Sequence, residues 1–209
     1  MVQRIEPQPG QESVWDYPRP PRVEPASHRI RILFNDVTIA DSQNTFRVLE
    51  TSHPPVYYIP LADVAQQYLE PTQRATFCEW KGAAQYFNLV VGDRRVNHAV
   101  WRYPQPTERF ADIRNCVAVY PSQMDACYVD EEQVQAQAGD FYGGWITSNI
   151  VGPFKGGAGT WGWYFLAANK MPAIAPRYCR PITLNKLRWI GEPAHVSLRL
   201  TLGTLEAAS

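Results

Sequence analysis

Residues 77–104 read FCEWKGAAQYFNLVVGDRRVNHAVWRYP, two apolar strands on either side of the connection Gly92-Asp93-Arg94-Arg95. Gln85 to Val91 and Val96 to Tyr103 alternate in the manner of paired half-buried strands. Gly92 suits the tight turn between them, because it takes positive φ without a Cβ clash. Cys78 and Lys81 stand three residues apart just before the first strand, where a rigid sheet presents loop residues at its rim. An ammonium close to a thiol favours the thiolate, whereas burial against Trp80 or Tyr86 opposes it. Two readings stay open: an anion-holding rim with Cys78 as the semi-exposed neighbour of Lys81, or a core thiol with Lys81 paired to Glu79 or Glu50.

The same stretch carries a family resemblance. CEWKG-x-A-x-Y over Cys78–Tyr86, followed by AVWRYP-x-P over Ala99–Pro106, resembles the CPYKG-x-A-x-Y and AW-x-YP-x-P signatures of DUF427, a domain of unknown function that also carries a nucleotidyltransferase-like label. Val37–Ser42, Arg47–Pro60 and Val117–Pro121 are similar to further pieces of that family in the same order. The resemblance covers roughly residues 30 to 137 and implies a β-tent-like fold, a compact antiparallel β domain with short helices, without implying a reaction. FYGGWITSNIVGPFKGG, over residues 141–157, is similar to the C-terminal extension of cyanobacterial and plastid members. Some β-tent relatives hold zinc through two cysteine pairs; Cys78, Cys116, Cys127 and Cys179 are spread singly, so no metal is expected here. The nucleotidyltransferase label finds no paired carboxylates beside a Gly-Ser motif.

With 209 residues, 45% hydrophobic and 19% charged, the chain has the composition of an ordinary globular domain with extensions. A net charge of zero supplies no electrostatic footprint for nucleic acid or an anionic membrane. No apolar run approaches the roughly 20 residues that span a bilayer. The N-terminus lacks a basic-then-apolar leader pattern, so a cytoplasmic location with free thiols is expected. Eighteen prolines cut the chain into short extended pieces.

Residues 1–29 read as a proline-rich arm whose Trp15 and Tyr17 pin it to the body or to a second copy of the chain. The body begins with a hairpin, Arg29–Phe34 and Val37–Ala40 around Asn35-Asp36. In the strand Phe46–Glu50, Phe46, Val48 and Glu50 point one way, and Arg47, Leu49 and Thr51 the other. Glu50 therefore stands at the edge of the interior, either salt-bridged or as a pocket acid with a raised pKa. His53, beside Pro54 and Pro55, reads as a surface-loop residue. Val56–Ile59 is a short strand, and a brief helix opens at Leu61 and ends by Leu69–Thr72. Thr107 caps a short amphipathic helix to Ile113, Cys116–Tyr120 is a buried strand, and Cys127–Asp130 is an edge strand.

Residues 138–209 form an extension rich in glycine and tryptophan. Lys155-Gly156-Gly157-Ala158-Gly159-Thr160 lacks the GxxxxGK[ST] order, and a tight turn under Trp161 and Trp163 is favoured over a phosphate cradle. Pro181–Ile190 and His195–Leu202 read as closing strands. No GxGxxG fingerprint is present, and no cofactor is expected.

Two functional classes emerge. The first is a binder of a small anionic ligand, or an enzyme, with a pocket made by Glu50, Tyr58, Cys78, Lys81, Trp101 and Tyr103, with Arg47 as a further ligand contact. Lys81 would hold a carboxylate or phosphate, and Cys78 would be the nucleophile of a catalytic version. The second is an assembly module in which the arm and the Gly/Trp tail bind a partner chain.

Overall fold

The computed structural model describes residues 3–139, 141–160 and 163. It is mainly β. A seven-stranded antiparallel sheet runs in the order Arg22–Ala26, Thr45–Leu49, Val56–Pro60, Cys116–Val119, Arg94–Arg102, Gly82–Val91, Leu69–Cys78. A second sheet has the order Glu132–Gln133, Ala126–Val129, Ile30–Phe34, Val37–Ser42. Two small two-stranded ladders join Glu12–Ser13 to Ile150–Val151 and Gln135–Ala136 to Trp145–Ile146. The described helices are all 3₁₀ segments.

The hairpin turning at Gly92 forms the fifth and sixth strands of the large sheet, with Gly92 at φ 59° as the turn requires. Asn35 and Asp36 both have positive φ (50° and 58°), the geometry of a two-residue hairpin turn that matches strand twist. Ile30, Ile32 and Phe34 alternate inward and pack with Ile39, Ile59, Leu89, Val117 and Val119 in the largest buried cluster, with Trp145. A second cluster contains Tyr58, Cys78, Tyr86, Trp101, Tyr103 and Phe110. Phe110 and Ile113, from the 3₁₀ segment Glu108–Ile113, are fully buried in it.

Three departures from the sequence reading have physical causes. Leu69–Thr72, read as the end of a helix, instead opens the ten-residue edge strand Leu69–Cys78. Its surface is mostly exposed, so no apolar alternation marks it, and a register shift between Pro71 and Ala75 interrupts its ladder. Cys127–Asp130, read as an edge strand, is the interior strand Ala126–Val129, paired on both sides. The arm is built into the body: Arg22–Ala26 is an edge strand of the large sheet, where Pro25 is tolerated. The closing strands read at Pro181–Ile190 and His195–Leu202 lie outside the described residues, as does Cys179.

Ahead of that edge strand, Val14, Trp15 and Tyr17 form a third cluster with Leu49, Ile150, Phe154 and Trp163. The Trp15 indole N–H donates to the Pro153 carbonyl at 2.9 Å. Removing this side chain leaves a cavity between arm and tail. Trp15→Ala is expected to destabilise the fold by about 3–5 kcal/mol in urea unfolding; a change within about 0.5 kcal/mol, the range of an ordinary surface substitution, would show that the arm is not integral.

Candidate functional site

Glu50 follows the last paired residue of the Thr45–Leu49 strand, and the loop it opens is held from two sides. Ser52, in a left-handed conformation at φ 70°, donates its N–H to the Val14 carbonyl at 2.9 Å and accepts at its own carbonyl from Lys155 N–H at 2.8 Å. Thr51 donates its N–H to Pro18 and its hydroxyl to Tyr17, the latter at 2.6 Å. Residues 51–55 are all buried as a result. The staple also brings the side chains of Arg19 and Lys155 toward Glu50.

The Glu50 carboxylate accepts a short ion-paired hydrogen bond from Arg19, which also reaches Glu79 at 3.3 Å. About a fifth of the Glu50 side chain stays exposed. Burial acts to raise its pKa, but the His53 ring when protonated and the charges of Arg19, Lys81 and Lys155 overcome it and hold the carboxyl below its ordinary range. Glu50 is thus a salt-bridged, ionised acid, not a protonated one.

His53 is buried, contrary to its reading as a surface residue; the stapled loop carries it inward. Its Nδ1–H donates to the Thr51 carbonyl at 3.0 Å, and its ring meets Tyr142 edge-on at 4.8 Å. Desolvation and the cations Lys155 and Arg19 outweigh Glu50 and lower its pKa, so the ring is neutral at pH 7.

Lys81 is presented by the turn between Cys78 and Gly82, which are paired in register. Thr107 fixes that turn by donating its N–H to the Lys81 carbonyl and its hydroxyl to the Trp80 carbonyl, at 3.2 and 2.7 Å. The Lys81 ammonium lies over the rings of Tyr103 and Phe110, at 5.7 and 5.8 Å, and the Arg19 guanidinium over Trp80 at 5.8 Å. The aromatic rim is therefore also the seat of the cations.

Of the residues singled out in the sequence, Glu50, Lys81, Cys78, Tyr58, Trp101 and Tyr103 converge on this side of the large sheet. Tyr58 is fully buried, 6.4 Å from Tyr103 between ring centres. Cys78 is 9% exposed and belongs to the apolar cluster behind the rim. Trp101 packs on Tyr120 at 4.5 Å and against Gly143, where a Cβ would stand 2.3 Å from the indole. Arg47 is not brought to the site: it is ion-paired to Glu12 and Glu24. Lys155 opens the glycine-rich turn, whose Gly156 N–H donates to Thr160 Oγ1 at 2.9 Å, so the turn closes on itself. The Lys155 side chain is 1% exposed and reaches inward, with its ammonium 5.6 Å from the Tyr142 ring centre.

Sequence reading passed over Arg19 and Tyr142, placed His53 at the surface, and read Lys155 only as part of a turn. No local pattern marks them, because their positions depend on contacts between segments about 30 to 100 residues apart in the chain. An open groove of about 380 Å³ lies elsewhere, lined by His28, Tyr57, Asp130, Glu132 and Asn149 among others, and its acids are engaged by His28 and Ser148. The convergence of charge on Glu50, not this groove, is the chemically distinctive place. Among the described residues, no group of three or more His, Cys, Asp or Glu is arranged to hold a metal, and no helix is long and apolar enough to cross a membrane.

The model of the domain of unknown function DUF427 matches residues 22–130, just over half of the chain. The chain belongs to the DUF427 family. No curated protein matches it. The DUF427 segment supplies Glu50, His53, Tyr58, Cys78, Lys81, Trp101 and Tyr103, while Arg19, Tyr142 and Lys155 come from outside it.

The two shifted groups set an acid response. The unfolded chain protonates His53 near its ordinary 6.5 while the fold resists, so stability falls as pH drops below that value. The ionised Glu50 stabilises the fold above about 4.5, and that contribution disappears as pH falls further toward its depressed folded value. His53→Gln is expected to flatten the pH dependence of unfolding between about 7 and 5, and Glu50→Gln that below about 4.5; unchanged profiles in urea titrations would contradict the assignments.

The thiols give a second check. Burial raises the Cys116 pKa to about 11, Cys127 is pushed higher by burial, and both are less exposed than Cys78. Iodoacetamide mapping by mass spectrometry on the native protein is expected to rank Cys78 ahead of Cys116 and Cys127. Equal rates for all three, appearing only with unfolding, would make Cys78 an inert core thiol.

Proposed function

We propose that this DUF427 protein binds a small ligand through an anionic group beside Lys81 and Glu50, against the rim of Trp80 and Tyr103. The single observation behind this reading is the ion pairing of Arg19 with both Glu50 and Glu79, in a field to which Lys81 and Lys155 also contribute and in which Glu50 stays ionised. Cations clustered at a half-buried position hold an anion more firmly than the same charges in water, because the local dielectric is lower. Arg19 and Lys81 are already seated over aromatic rings, so little side-chain entropy is lost when an anion arrives. The rings offer the apolar wall that small-molecule sites use beside a few polar groups.

Lys81 is the principal anion holder in this reading, and Glu50 the acceptor that fixes orientation. Tyr58, Tyr103 and Trp101 form the wall, with Cys78 behind it as the residue that a catalytic version would use once the rim opens. A cytoplasmic setting accords with the free thiols of Cys116 and Cys127. The assembly alternative loses its main support, because Trp15 and Tyr17 are spent on contacts within the chain.

Calorimetric titration with the carboxylates 3-phenylpropionate, phenyllactate and phenylalanine tests this. At least one is expected to bind, and Lys81→Met should weaken it about tenfold or more, the range of a lost hydrogen bond to a charged group. The reading fails if none binds, or if binding survives in a folded Lys81→Met variant.

A further inference from the structure

The site contains something a plain anion site would exclude. A carboxylate, Glu50, sits among the cations, held ionised and about a fifth exposed, and Arg19 ties a second carboxylate, Glu79, to the same place. A phosphate or a simple carboxylate drawn to Lys81 would meet these like charges, and repulsion would offset much of the attraction. A ligand that carries an N–H or O–H donor beside its acid group would instead satisfy both halves of the site.

Resting on the reading above, we propose that the ligand is a small amphoteric or hydroxylated acid, of the amino-acid or hydroxy-acid class. Its acid group meets Lys81, and its adjacent amino or hydroxyl group donates to Glu50. Three features support this class over a simple anion. The hydrogen bond from Arg19 engages Oε1 of Glu50, so the carboxylate is oriented before any ligand binds. Trp80 is half-buried next to Lys81 and carries the Arg19 guanidinium over its ring, so the apolar rim and the cations form one surface. Residues 51–55, which carry the chain on from Glu50, are held by arm and tail, so the carboxylate cannot easily swing away from an incoming anion.

Arg19 and Lys155 become specificity-determining residues in this arrangement, because they keep Glu50 ionised and in place. Both lie outside the matched DUF427 segment, at residues 22–130. The selectivity is accordingly a property of this chain's flanks and not of the shared segment alone.

The matched series separates this proposal from the one it rests on. 3-Phenylpropionate has the acid and ring but no donor, phenyllactate adds a hydroxyl, and phenylalanine adds an ammonium. Wild-type protein is expected to bind phenyllactate or phenylalanine at least about tenfold more tightly than 3-phenylpropionate, since a charged acceptor left without its donor costs about that factor. Glu50→Gln should shrink this gap to within about threefold and strengthen 3-phenylpropionate and inorganic phosphate, while Lys81→Met weakens every member. If 3-phenylpropionate binds as tightly as the others, with Lys81 still required, the donor proposal falls and the anion reading stands. If no member binds, both fall. Should Glu50→Gln fail to fold, the wild-type ranking alone decides.

Discussion

A carboxylate cannot sit half-buried at a strand end unless something compensates its lost hydration, and at Glu50 that constraint organises the surroundings. Burial acts to raise its pKa; the opposing charges of Arg19, Lys81 and Lys155 help to hold it below the ordinary range and so ionised. Each of those cations arrives by a different route. Lys81 rides on the turn at the mouth of the central hairpin, Arg19 on the chain leading into an edge strand, and Lys155 on the head of a glycine-rich turn. The fold can be understood as the device that delivers three cations to one acid. Breaking any delivery route leaves the acid undercompensated, so the site and local stability are coupled.

The double staple at Ser52 does the delivering. A left-handed residue at this point turns both its N–H and its C=O outward, one toward the arm and one toward the tail. Strain of this kind persists where surrounding contacts over-determine it, as the buried loop from 51 to 55 does here. The large sheet supplies rigidity, but it is backbone hydrogen bonding from the two flanks that fixes where Glu50 and His53 point. Aromatic packing finishes the arrangement: Trp15 bonds to Pro153, and Tyr142 lies against both His53 and Lys155.

What the sequence disclosed follows from how local each signal is. The hairpin around Gly92 and that around Asn35-Asp36 were legible because alternation and turn chemistry lie within a dozen residues. Glu50 was placed at the edge of the interior by period-two counting from Phe46 and Val48, and Lys81 by its place before a strand. Leu69–Cys78 was not legible as a strand, because an exposed edge with a bulge has no apolar period to read. His53 looked superficial between a strand and two prolines, and only contacts from residues 14 and 155 bury it. The approach of Arg19 and Lys155 to Glu50 has no counterpart in any window of sequence. Arg47 was misplaced for the opposite reason: its strand was right, but its partners, Glu12 and Glu24, lie on other strands and claim it for the framework.

The parallel pairing of Glu12–Ser13 with Ile150–Val151 has a consequence for the order of events during synthesis. Its partners, like Trp15 and Pro153, are separated by well over a hundred residues, and such contacts close only after a long loop has been ordered. A growing chain that has emerged through the DUF427 segment already holds Glu50 and Lys81, yet lacks Lys155 and the strand that receives the arm. Until the tail appears, Glu50 is a carboxylate without its full complement of cations, and the loop after it is secured on one side at most. The full set of charges around Glu50 is thus assembled only once residue 155 has been made, long after the strand that leads into the acid.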